Sequence, residues 1–84
     1  MVTESPRTMP PVDALLDQAG SLRADADLMD GYARRLLATA AALTGCAAAP
    51  EWSAPALERQ AAACGTAAEQ LRSAAQALLA HARA

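Results

Sequence analysis

From Leu15 to Ala40 the chain reads LLDQAGSLRADADLMDGYARRLLATA, and its apolar residues keep a seven-residue beat. Leu15, Leu22, Met29 and Leu36 stand seven apart, and Leu43 continues the series. Ala19, Ala26, Ala33 and Ala40 each follow a large member by four residues. Steps of four and three put these side chains on one narrow stripe of an α-helix, the seam of a coiled coil. The beat returns downstream, with Leu57, Cys64, Leu71 and Leu78 as the large members and Ala61, Ala68, Ala75 and Ala82 as the small ones. Between the runs lies Pro50-Glu51-Trp52-Ser53-Ala54-Pro55. No helix crosses this segment unbroken, because proline lacks an N–H and its ring clashes with the preceding turn. The expected fold is therefore all-α: an antiparallel two-helix hairpin with Ala/Leu coiled-coil seams.

Residues 1–11 hold three prolines and no apolar periodicity, and read as a disordered tail. The hairpin is expected over 12–84, with one helix over 12–45, a turn over 46–54 and a second helix over 55–83. At 1.5 Å per residue these are rods of about 50 and 43 Å. Both helices are expected to place acids early and Arg late, complementing the helix dipole. Gly20-Ser21 is the weak point of the first helix, but the seven-residue phase runs through it from Leu15 to Leu22, so a continuous helix is expected. Ala at alternate seam positions should bring the axes to the close end of the ~8–10 Å range.

One such seam leaves little core. Ala has a small side chain to remove from water, and each buried Leu contributes roughly 1.5–3 kcal/mol against an ordering cost of about 1.5 kcal/mol per residue. A second hairpin, giving a four-helix bundle, is the physical remedy for so small a chain. Between Arg35 and Glu51 nothing is ionisable except Cys46, and nothing between Arg59 and Glu69 is charged. That sparsity places the expected partner contact toward the turn, on Leu36, Leu37, Leu43, Leu57 and Trp52.

Net charge is −2 and the pI is near 5.1, which argues against nucleic acid or an anionic membrane as a partner. All seven basic residues are Arg, and Lys, Asn, Ile and Phe are absent. All four missing amino acids have AT-rich codons, so the composition points to a bacterial genome of high GC content. No stretch has the ~18 apolar residues of a membrane span, and the first eleven lack the apolar core of a signal peptide. Export, if it occurs, is expected not to use a cleaved secretory signal.

Trp52 is the only Trp and sits at the interruption. It reads either as an apolar plug closing the turn or as a recognition anchor of the kind Trp supplies at interfaces. The string Trp52-Ser53-Ala54-Pro55-Ala56-Leu57, flanked by two Ala/Leu helices, resembles the Trp-x-Gly family of small type VII secretion proteins. The resemblance implies an early-secreted-antigen-like hairpin that pairs with itself, a paralogue or an effector, and that leaves the cytoplasm through a membrane ATPase complex. By that resemblance Trp52, Ser53 and Ala54 hold the place of the family's turn and export motif, Trp52 matching its Trp and Ala54 departing from the Gly it prefers. The family's acidic Tyr-x-x-x-Asp/Glu signal is not met by Tyr32-Ala33-Arg34-Arg35-Leu36, so a partner would have to supply it.

The remaining reactive residues read as structural. Cys46 and Cys64 would lie roughly 13 Å apart along the hairpin axis, beyond disulfide reach, and read as packing residues. His81 is the lone His and has no Cys pair beside it, so no metal site and no cofactor are expected. Asp25, Asp27 and Asp30 read as one solvated, solubilising cluster. No base stands at a useful spacing from Ser53 and no phosphate loop is present, so an enzyme is not expected. The expected function is protein–protein binding as a type VII secretion substrate or partner, cytoplasmic before export and then secreted. The alternative is a cytoplasmic dimeric coiled-coil adaptor.

Overall fold

The computed structural model describes residues 11–84 as two antiparallel helices, α1 (Pro11–Thr44) and α2 (Ser53–Arg83), joined by a connector over 45–52. Among the described residues there is no strand. Apart from Pro11, the tail expected over 1–11 lies outside the described residues. α1 opens on Pro11 itself, where a missing N–H has no intrahelical partner to lose. The helix then runs unbroken through Gly20-Ser21. A side chain at Gly20 would meet no atom within 4 Å, so the weak residue interrupts no packing.

α2 begins at Ser53, two residues before the expected Pro55. Trp52 is its N-cap, and the Ala56 N–H donates to the Trp52 carbonyl at 3.0 Å, closing the first full turn. Pro55 thus falls among the leading residues whose N–H groups are unpaired in any helix, so proline is tolerated there. The earlier start also moves Glu58 beyond the first turn, and α2 has no acid there. The dipole expectation is met by halves. α1 has Asp13 in its first turn but no base in its last, whereas α2 ends on His81 and Arg83.

The core is made of methyl groups. Ala19, Ala26 and Ala40 of α1 and Ala61, Ala68 and Ala75 of α2 are buried, and they are the whole of the buried set among the described residues. Every large seam residue, from Leu15 to Leu43 and from Leu57 to Leu78, is only half-buried. The cause is geometric: where Ala meets Ala the helices close up, and the bulkier side chains of the same stripe are left at the edge of the contact. Two helices have a single contact line, so nothing covers that edge.

Candidate protein-binding surface

The heptad geometry gives the hairpin two flanks, and the side-chain contacts fix which residues lie on each. On one flank, Nη2 of Arg72 donates to Asp27 Oδ1 at 2.8 Å and to Asp30 Oδ2 at 2.7 Å, a clasp between α2 and α1. The hydrogen bonds to Asp30 and then Asp27 raise the pKa of the Arg72 guanidinium, which stays protonated. Leu16 and Leu37 share the heptad position of Asp30 and project on this flank, 46% and 49% exposed.

On the opposite flank, Tyr32, Arg35, Leu36 and Thr39 of α1 and Cys64 of α2 line an open groove of about 420 Å³. Leu36 and Cys64 are seam residues seen from the side, so the half-buried edge of the core opens here. The Arg35 guanidinium lies 5.2 Å from the centre of the Tyr32 ring, within cation–π range. Leu28, one turn from Tyr32, is 56% exposed.

At the turn, a second concavity of about 480 Å³ lies among Leu43, Cys46, Pro50, Ala54 and Glu58. Trp52 is 69% exposed beside it, which removes the plug reading. The connector closes without an apolar stopper. Cys46 N–H donates to Leu43 O at 3.0 Å, Ala49 N–H to Cys46 O at 3.1 Å and Ser53 N–H to Pro50 O at 3.1 Å. Ser53 Oγ also donates to Pro50 O at 2.6 Å, so its hydroxyl is engaged in the turn. With its backbone in the αR region (φ −77°, ψ −14°), Trp52 opens α2 and leaves its indole facing water.

Of the residues expected to meet a partner, Leu36, Leu43 and Leu57 share the half-buried seam, Trp52 stands out at the turn, and Leu37 lies on the clasp flank. Ala54 is half-buried in the first turn of α2. The expected acidic cluster does not exist as one group. Asp27 and Asp30 grip Arg72, whereas Asp25 shares the heptad position of Tyr32 on the groove flank. Cys46 and Cys64 are free thiols. Cys64 is half-buried in the seam, but Cys46 is exposed beyond the end of α1 and does not pack as expected. Among the described residues no group of three His, Cys, Asp or Glu could hold a metal ion, and no helix is long and apolar enough to cross a membrane.

No known family's sequence profile matches the chain, and neither a curated protein nor a solved structure matches it. The surface is therefore read on its own physics. It offers an apolar edge and groove along one flank and an exposed indole at one end. These are features suited to holding another protein.

Proposed function

We propose that the chain is a protein-binding hairpin of the type VII secretion kind, similar to Trp-x-Gly proteins, that packs its open seam against another helical hairpin and presents Trp52 for export. The observation that carries the binding half is the half-exposure of every large seam residue, with only Ala buried. Such an edge is apolar area that a second hairpin would remove from water, at about 25 cal/mol per Å². The exposed indole supports the export half, since an indole left largely in water is free to be read by other machinery.

The test is secretion from the native host. Trp52→Ala should stay folded by circular dichroism and should still co-purify with its partner, while its appearance outside the cell falls. Deleting the export ATPase should abolish secretion of the unaltered chain. Undiminished secretion of folded Trp52→Ala would refute the export role and leave the cytoplasmic dimeric adaptor.

A further inference from the structure

The charges of the hairpin are sorted by side. On α2, Ala61 and Ala68 flank Cys64 toward the buried seam, so Gln60 and Ala67 flank it toward the groove. The groove side of α2 then runs through positions 60, 63, 67, 70, 74, 77 and 81, which are Gln, Ala, Ala, Gln, Ala, Ala and His. Every Asp, Glu and Arg of α2 lies elsewhere, and His81 closes the row at its far end. On α1 the groove side carries two charges, Asp25 and Arg35, with Leu28 and Tyr32 between them.

Those four residues are disposed about a centre. Asp25 and Arg35 each lie five residues from residue 30, and Leu28 and Tyr32 each lie two from it. When two identical helices pair antiparallel about that level, residue 25 of one faces residue 35 of the other and residue 28 faces residue 32. Acid meets base twice, and an exposed Leu meets an exposed aromatic twice. We propose that the groove flank is an isologous interface on which a second copy of this chain seats antiparallel, Asp25 of each against Arg35 of the other. This deepens the partner-binding reading and rests on it.

The clasp relates the levels of the two helices. Asp30 bonded to Arg72 sets residue 30 of α1 level with the neighbourhood of Arg72. The groove row on α2 has its middle near Gln70, two residues away, with Ala63 matched to Ala77, Ala67 to Ala74 and Gln60 to His81. A twofold axis at that level of α1 therefore crosses α2 near Gln70 and brings only Ala, Gln and His of its groove row together. Leu28 of the second copy reaches the groove between Tyr32 and Leu36. The overlapping face is about 40 Å long and about 18 Å wide, roughly 700 Å² per copy, close to the ~800 Å² per partner of a stable interface. A parallel arrangement would lay α1 on the Ala- and Gln-rich row of α2 and leave Asp25 and Arg35 unpaired.

Sedimentation equilibrium of the full chain and its variants, from low to high micromolar, tests this. Asp25→Arg and Arg35→Asp should each weaken dimerisation about tenfold or more, because each creates two like-charge pairs by symmetry. The double swap, which keeps composition and net charge, should return the Kd to within about threefold of the original. Leu28→Asp should weaken the dimer, and Leu37→Asp, on the clasp flank, should leave it unchanged. Circular dichroism confirms that each variant is helical. A folded monomer at every concentration would overturn the proposal. So would a dimer indifferent to both single swaps, or one weakened by Leu37→Asp instead. Loss of self-pairing with Trp52-dependent export intact would remove this interface and retain the function; the reverse would remove the export role and retain the interface.

Discussion

Ala68 is the sharpest place to test what holds the two helices at their spacing. Its side chain is 0% exposed, and its seam neighbours Ala61 and Ala75 are 4% and 0% exposed. Ala68→Leu adds three carbons at a point where the facing helix already fills the space. With room available, the additions would gain about 0.8 kcal/mol per buried methylene. Without it, they force the helices apart or the side chain off its rotamer, at about 1–3 kcal/mol. The structure requires the second outcome. For a domain of this size that is a fall in Tm of about 4 °C at the low end and about 24 °C at the high end. Ala62→Leu, six residues away on the same helix and exposed, is the matched control, since Ala and Leu differ little in helix propensity. Thermal unfolding by circular dichroism at one fixed protein concentration reads both, because linkage to assembly makes Tm concentration-dependent. If Ala68→Leu were as stable as Ala62→Leu, the Ala seam would not be setting the interhelical distance, and the account of why the Leu residues are half-exposed would fail.

Two further outcomes follow from the same geometry. Trp52→Ala should change stability by no more than about 0.5 kcal/mol, as for an exposed residue. A buried plug would cost about 3–5 kcal/mol. Chemical denaturation separates the two, and the Trp emission of the free chain should be that of a solvated indole. Arg72→Gln should lower the Tm in low salt, with the difference shrinking as salt is added and the exposed clasp is screened. Because the bonds to Asp30 and Asp27 raise the Arg72 pKa, the clasp is present below its ordinary pKa and lost only as pH rises through the raised one. Its contribution should therefore be flat from neutral to mildly alkaline pH, which a Tm series across that range checks.

The hairpin was legible because two periodicities of seven, separated by Pro50 and Pro55, admit only two helices with facing stripes. The same periodicity gave the Ala residues as seam members, but not that they alone would be buried. That follows from closeness of approach, which depends on both helices at once. Trp52 was ambiguous in sequence because a turn can be closed by an indole or by main-chain hydrogen bonds, and here the latter suffice. The sorting of charge by flank was present in the sequence and is hidden when charge is counted along the chain. Counting linearly put Asp25, Asp27 and Asp30 in one cluster. Winding the same residues onto a helix sends Asp25 one way and its two neighbours the other.

The clasp between Arg72, Asp27 and Asp30 also solves a problem of register. A seam that repeats every seven residues on both helices fits itself again after a slide of one heptad, about 10 Å, with Ala still meeting Ala. Packing by small residues alone thus specifies the distance between the helices far better than their alignment. Sliding one heptad toward the start of α1 would set Arg72 against Gly20 and Arg23; sliding the other way would set it against Arg34 and Leu37. Each misalignment exchanges two carboxylates for a like charge. A surface pair that adds little to the depth of the folded state can thus discriminate between alignments the core treats as equal. Charge selects the frame in which the alanines are read.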